Sequence, residues 1–218
     1  MKRLVFLVEG DTEVIFINQH VIPYLYKDGF KNAMHAQKII TNRQLNKKGG
    51  NISYEYLKND IGRILAQGNV IITTFLDFFR LPNNFPGYSN NANDISIIEN
   101  MILEEFGDLI IPYIQKHEME ALMYSGMDGF KIVVDDEKKL SRLQEIINKY
   151  ENPEEINTSP QGAPSKRLIE IFKYDKVLEA EMILEALGIE VIIQKCPGLS
   201  AWLQKLKAAL MKDNTEGL

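Results

Sequence analysis

The chain has 218 residues, 45% of them apolar and 25% charged, with a net charge of −5 at pH 7. That is enough for one globular domain with a core, or for a domain with an appendage. The slight acidity speaks against a bare electrostatic nucleic-acid binder, which displays a basic surplus, although carboxylates awaiting a cation account for part of such a deficit. A single cysteine, Cys196, excludes an intramolecular disulfide framework and a multi-cysteine zinc site, and His20, His35 and His117 are too scattered for a histidine-rich cluster. The apolar run in MKRLVFLVEGDTE is too short for a signal-peptide core or a membrane span, so a cytoplasmic protein without membrane association is expected.

Leu4–Val8 is a short apolar run rich in β-formers that stops at Glu9–Gly10, the pattern of a buried strand. Asp11 and Thr12 resemble an N-cap, and Val14, Ile17, Val21 and Ile22 carry helical spacing to Tyr26, with Asp28–Gly29 as the stop. A second apolar stretch, Ala33–Ile40, leads into the polar segment Asn42–Asn51, and Tyr54–Ala66 is again helical in period. Val70–Leu76 is the most strand-like segment and closes at Asp77. This order predicts an α/β fold, a parallel-sheet core with flanking helices. In such sheets ligands bind beyond the carboxyl ends of the strands, the edge to which Glu9 and Asp77 both fall. Arg80–Asn93, with its prolines and asparagines, reads as a long irregular loop of the kind that is often functional. Asp94–Phe106 and Glu118–Tyr124 are expected to be helical, with Leu109–Ile114 a short strand between them. Helix is expected from beyond Phe130 to Tyr150, followed by a connector at Glu151–Gly162. Pro164–Phe172, Val177–Leu187 and Leu199–Leu210 then read as helices, and Glu190–Ile193 as an edge strand. The resulting division is a core over residues 1–126 and a largely helical C-terminal extension over 127–218, either a separate subdomain or a cap on the same core.

Glu9, Asp11 and Glu13 crowd the end of the first strand. Like charges about 4 Å apart cost roughly 4 kcal/mol at an effective dielectric near 20, so such a group calls for something positive. Magnesium is a natural counter-charge, since it takes oxygen ligands, commonly one or two carboxylates with several waters. The competing reading gives Asp11 to the helix cap and Glu13 to the positive first turn. Glu9, at the strand end and followed by a permissive glycine, is not explained that way. Asp77 alone would be an ordinary strand-terminating acid; with Glu9 at the same edge the two make a candidate site.

A strand ending in Glu–Gly, an acid-rich helix start and a later strand ending in Asp resemble the Toprim domain. That domain is shared by topoisomerases, bacterial primases and nucleases of the overcoming-lysogenization-defect type. The whole chain is similar to an uncharacterised bacterial family of Toprim-like proteins, through VEGDTE, NKKGGNISY, TTFLDFFRLP with the following FPG, PYIQKHEMEAL, INTSPQGAPSKRL and KCPGLSAWLQKL. The resemblance implies a Toprim-like core that holds Mg2+ or Mn2+. It implies Glu9 as general acid/base or ligand, Glu13 as a further ligand and Asp77 as the principal ligand of the second motif. The usual Toprim pattern has two aspartates separated by one residue, whereas Phe78 and Phe79 follow Asp77 here, so one ligand is missing or supplied from elsewhere. HEMEAL offers Glu118 or Glu120. On a helix these two diverge by about 200° and at most one faces the site, while on an extended segment they share a face. The alternative is that both are solvated acids beside a Met119/Leu122/Met123 core stripe, and His117 reads as a structural hydrogen-bonder.

Arg43, Lys47 and Lys48 precede Gly49–Gly50, where the backbone can approach a ligand closely and the lysines can meet phosphate. The GxxxxGK[ST] spacing of a P-loop is absent, so nucleotide binding by that device is unsupported. In APSKRL, Pro164 at a helix start puts Ser165, Lys166 and Arg167 in the first turn, where free amides favour anions. Cations there oppose the helix dipole and call for an anionic ligand or a nearby acid such as Glu154 or Glu155. The resulting expectation is metal-dependent phosphodiester hydrolysis on nucleic acid, a Toprim-type nuclease in genome maintenance or defence. The alternative is a non-catalytic Toprim-fold subunit that docks on an ATP-binding-cassette-type ATPase supplied in trans. A third reading, a small-molecule phosphoesterase, tolerates the acidic charge better than DNA binding does.

Overall fold

The computed structural model describes residues 1–42, 47–50, 52–156 and 162–216. They form two units, Met1–Ile114 with Trp202–Leu218, and Gln115–Ala201. In the first unit β1 (Arg3–Val8) leads into α1 (Asp11–Phe16), a π-helical turn at Ile17–Val21 and α2 (Ile22–Lys27). Pro23 accounts for the widened turn. It has no N–H for the Gln19 carbonyl and its ring crowds that carbonyl, so the preceding turn opens instead of closing an ordinary ladder. β2 (Met34–Lys38) returns beside β1, and the chain then leaves the sheet as an antiparallel hairpin of β3 (Ile40–Asn42) and β4 (Lys47–Lys48). α3 (Tyr54–Leu65) starts on Ser53, whose hydroxyl accepts the Tyr56 N–H at 3.3 Å. β5 (Val70–Asp77), α4 (Ile95–Phe106), β6 (Ile110–Ile111) and β7 (Ile114–Gln115) follow.

The strand order is β2–β1–β5–β6, with β7 also paired to β5, and the pairs β2–β1, β1–β5 and β5–β6 are parallel. A parallel sheet is covered on both faces and its inner strands read as continuous apolar runs; β5 is buried at every position. On one face Val5, Leu7, Ile72 and Leu76 pack with Leu57, Ile61 and Ile64 of α3 and Ile98 and Ile102 of α4. On the other face Phe75 meets Phe16 of α1 (centroids 5.7 Å) and Trp202 (5.5 Å), and Trp202 stacks on Tyr113 at 4.8 Å. The long loop after β5 contains only short 3-10 turns, Phe78–Arg80 and Ala92–Asp94, and is anchored by the buried Leu81 and Phe85.

Three local expectations are corrected. The single strand at Leu109–Ile114 is split into β6 and β7, because Pro112 cannot donate to a ladder. Side chains of β5 bridge the break. Thr74 Oγ1 accepts the Tyr113 N–H at 2.8 Å and donates to the Tyr113 carbonyl at 2.9 Å, while Thr73 Oγ1 donates to the Ile111 carbonyl at 2.6 Å and accepts Trp202 Nε1–H at 2.8 Å. In the second unit the helix to Tyr150 is two helices, α5 (Asp128–Val133) and α6 (Glu137–Lys149), the latter restarted by Asp136, which accepts the N–H groups of Lys138 and Lys139. α7 (Pro164–Phe172) and α8 (Leu178–Leu187) follow. The expected edge strand Glu190–Ile193 is α9 (Ile189–Lys195), whose buried residues Ile189 and Ile192 stand three apart, a helical and not an alternating spacing. α10 (Pro197–Glu216) begins in the second unit and belongs to the first from Trp202 onward. Among the described residues no helix is long and apolar enough to cross a membrane.

Candidate functional site at the carboxyl edge of the sheet

β1 and β5 are the two inner strands of the path, paired in parallel with Val8 opposite Phe75. Glu9 is the residue immediately after β1 and Asp77 the last residue of β5, so both emerge at the same carboxyl edge. Glu13 lies one turn before Phe16 on α1, and Asp77 two residues beyond Phe75. Since Phe16 and Phe75 are in contact, both acids are carried toward that edge on one face of the sheet. All three are nearly closed to solvent, with exposures of 7% (Glu9), 8% (Glu13) and 5% (Asp77). Burying ionised carboxylates is costly unless each is met by a donor or cation. Glu13 Oε2 lies 2.7 Å from where a Cβ on Gly10 would stand, so the glycine leaves room for that carboxylate to fold back over the Glu9–Gly10 bend.

Asp11 does not cap the helix. The cap position is Gly10, and Asp11 pairs with Lys38 Nζ at 2.6 Å, with its side chain largely exposed. The β3–β4 hairpin is drawn onto the same edge. Gly49 adopts φ +74° and lies so close to β1 that a Cβ there would come within 2.2 Å of the Glu9 carbonyl oxygen. Its N–H donates to the Ile39 carbonyl at 2.8 Å and its carbonyl accepts from Thr41 Oγ1 at 3.0 Å. Asp60, buried in α3, fixes the root of the hairpin by accepting the Ile40 N–H at 2.8 Å. Lys48, exposed at the end of β4, is thereby held next to the strand ends. Arg43 lies outside the described residues, as do residues 157–161 of the INTSPQGAPSKRL stretch.

The remaining candidates are in the second unit. Glu118 and Glu120 flank the start of a 3-10 segment, Met119–Ser125, and not of an α-helix. Glu118 Oε2 accepts the Ser165 N–H at 3.1 Å, capping α7, whose own cap residue Ala163 has no side chain to do so. Glu120 pairs with Lys176 at 2.8 Å. Lys166 is exposed, and Arg167 Nε donates to the Gly162 carbonyl at 2.8 Å. The acid at the start of α7 is thus Glu118, which meets the helix backbone and not the Lys166 or Arg167 side chain; Glu155 pairs with Lys116 at 2.7 Å. Glu154 serves α10, accepting the Gly198 N–H at 2.7 Å on one carboxylate oxygen and the Leu199 N–H at 3.1 Å on the other. His117 Nδ1 bonds the Glu154 carbonyl at 3.1 Å, and its pKa is lowered by burial and by Lys116. Burial and the charge of Glu154 push the Cys196 thiol up to about 12, which leaves it without nucleophilic character near neutrality.

Sequence reasoning missed Asp60 and the capping roles of Glu118 and Glu154, the latter expected only as an acid beside the α7 cations. A signal for Glu154 exists in CPGL: Pro197 begins a helix without a polar cap residue, so a distant acceptor is required. Among the described residues, no group of three or more His, Cys, Asp or Glu side chains is disposed to hold a metal ion. Magnesium needs fewer, since one or two carboxylates complete its shell with water and substrate oxygens. The buried donors Glu9, Glu13 and Asp77 are all hard oxygen donors of the kind Mg2+ and Mn2+ take.

Fold and site together define an α/β protein with buried acids gathered at the carboxyl edge of the two inner strands of a parallel sheet. The chain belongs to the family described as a domain of unknown function (DUF4276), which matches residues 8–207. No curated protein and no solved structure matches the chain.

Proposed function

We propose that the chain is a metal-dependent phosphodiesterase acting on nucleic acid, a Toprim-type nuclease working in the cytoplasm in genome maintenance or defence. The observation that carries this reading is the burial of Glu9, Glu13 and Asp77 at one edge of a parallel sheet, where α/β proteins bind their ligands. One or two of the carboxylates of Glu9, Glu13 and Asp77 would hold Mg2+ or Mn2+, which when bound polarises a phosphoryl oxygen and lowers the pKa of a water. Glu9 takes the proton of the attacking water on its carboxylate. Asp77, rooted in a fully buried strand, fixes the position of the reacting group, and the backbone of Gly49 closes the edge over Glu9.

The test is cleavage of supercoiled plasmid and of single strands with Mg2+ or Mn2+, comparing wild type with Glu9→Gln and Asp77→Asn. Both substitutions keep side-chain volume in a buried site, and each is expected to lower the rate about 100-fold or more. A folded wild-type protein that cleaves nothing, or cleavage indifferent to both changes, would overturn the reading. One observation favours the non-catalytic alternative: α4 leaves Ile97 and Met101, one turn apart, exposed on one helix face, an apolar pair of the kind a docking surface on an ATPase partner would use. Co-purification of that partner with a cleavage-inactive wild type would select it.

A further inference from the structure

Buried acids at a sheet edge repel a polyanionic substrate, so an enzyme of the proposed kind must meet the substrate's charge with cations close by. Lys38 is already engaged by Asp11 at 2.6 Å. Two other exposed cations border the edge. Arg80 ends the 3-10 turn that follows Asp77, three residues further along the chain. Its backbone is held on both sides: Phe78 is buried and stacks on Tyr88 at 5.3 Å with an interplanar angle of 18°, Leu81 is buried, and the Leu81 N–H donates to the Phe78 carbonyl at 3.2 Å. Lys48 directly precedes Gly49, which lies against the Glu9 carbonyl. Among the described residues neither the Arg80 nor the Lys48 side chain makes a hydrogen bond, ion pair or ring contact, and Lys48 is engaged only through its backbone, in the pairing with Ile40. Had their role been to neutralise the buried acids, they would pair with them as Lys38 pairs with Asp11. A cation on a fixed backbone with its head group open suits an external anion.

We infer that Arg80 and Lys48 form a two-point clamp for the phosphates of a nucleic-acid strand. Arg80 takes one phosphate beside Asp77 through its planar guanidinium fork, which matches two phosphoryl oxygens. Lys48 takes another beside Glu9 as a point charge. The clamp rests on reading the carboxylate edge as a phosphodiester site, and it assigns the substrate class by the backbone and not by base identity.

The test is fluorescence anisotropy of a fluorescein-labelled single strand of about 20 nucleotides, long enough for a site of this kind. It is run in EDTA between about 50 and 200 mM salt, so that no cleavage contributes. Arg80→Gln and Lys48→Gln are each expected to weaken binding several-fold at any sequence. Each should reduce the slope of log affinity against log salt by about 0.7, one phosphate contact on a single strand. Arg80→Lys should keep the slope and lose affinity, because the charge remains and the fork is gone. Lys131→Gln, which removes a cation paired to Asp128 in the second unit, should change neither. Unchanged slopes in both clamp variants, or a wild type that does not bind the strand, overturns the clamp. Reduced slopes in both clamp variants, with a wild-type protein that cleaves nothing, would uphold the clamp and remove only the nuclease reading.

Discussion

At the scale of single residues, Glu99 shows how burial sets the cost of a charge. It sits on α4 with one carboxylate oxygen accepting the Ile114 N–H at 3.0 Å, and burial raises its pKa despite that bond and the nearby Lys205. A carboxyl whose folded pKa exceeds its unfolded one favours the folded state while protonated. That contribution is fully present below the unfolded value and is lost as pH rises through the folded one. Glu99→Gln keeps an acceptor for Ile114 and cannot ionise. The melting temperature of the variant relative to wild type should therefore rise as pH is taken from about 4 toward 7, starting near the unfolded carboxyl value. Thermal melts at three pH values check this, and a pH-independent difference would refute it. Glu118 and Glu154 illustrate the other outcome, in which the cost of burial is offset by backbone donors at helix starts. Which acids cap these helices was not legible in the sequence, because the Ser165 amide that engages Glu118 lies 47 residues away and the Gly198 amide that engages Glu154 lies 44 away, even though CPGL signals that some distant acceptor is needed.

At the scale of elements, the β3–β4 hairpin depends on a glycine pair whose members are not equivalent. Gly49 and Gly50 both have positive φ, +74° and +79°, but a Cβ on Gly50 meets nothing within 4 Å, whereas one on Gly49 meets the Glu9 carbonyl. Gly50→Ala should cost only the left-handed penalty of about 1 kcal/mol. Gly49→Ala should cost that plus displacement of the hairpin, at least about 2 kcal/mol in all, and should weaken oligonucleotide binding by moving Lys48. Equal losses in denaturant midpoint for the two variants would sink this distinction. The glycine pair was legible as a place of close backbone approach; the surface it approaches was not, since that depends on β1 and β2 being adjacent. The strands ending at Glu9 and Asp77 were legible because each is a continuous apolar run stopped by an acid. α9 was misjudged because a run of β-branched residues fits both periods, and only burial at Ile189 and Ile192 decides between them.

At the scale of the molecule, the first unit is completed by residues far along the chain. Trp202, Leu203, Leu206 and Leu210 of α10 are all buried, and Trp202 covers Phe6, Phe75 and Tyr113. Asp213 adds bonds to the Lys2 N–H at 2.6 Å and to the Asn32 amide at 3.1 Å. Four buried apolar side chains at about 1.5–3 kcal/mol each sum to roughly the whole stability of an ordinary domain. A chain cut after Ala201 is therefore expected to lose cooperative unfolding of the sheet, seen as lost near-ultraviolet dichroism and unprotected amides in β1 and β5. A cooperative transition of wild-type amplitude would contradict this. The α/β class and the parallel sheet were readable from the alternation of apolar runs. The recruitment of α10 to the sheet was not, because its apolar stripe fits any apolar partner.

That arrangement has a consequence for synthesis on the ribosome. The sheet strands emerge first, yet the helix that covers one of their faces follows only after residues 115–201 have been translated, a wait of roughly 4–17 s at about 5–20 residues per second. Throughout that interval Phe6 and Phe75 lack Trp202, and by its end the inserted unit has all of its own chain. The usual N-terminal-first order of domain maturation is thus reversed, and the nascent sheet is the stage at which a chaperone would find an apolar surface to hold.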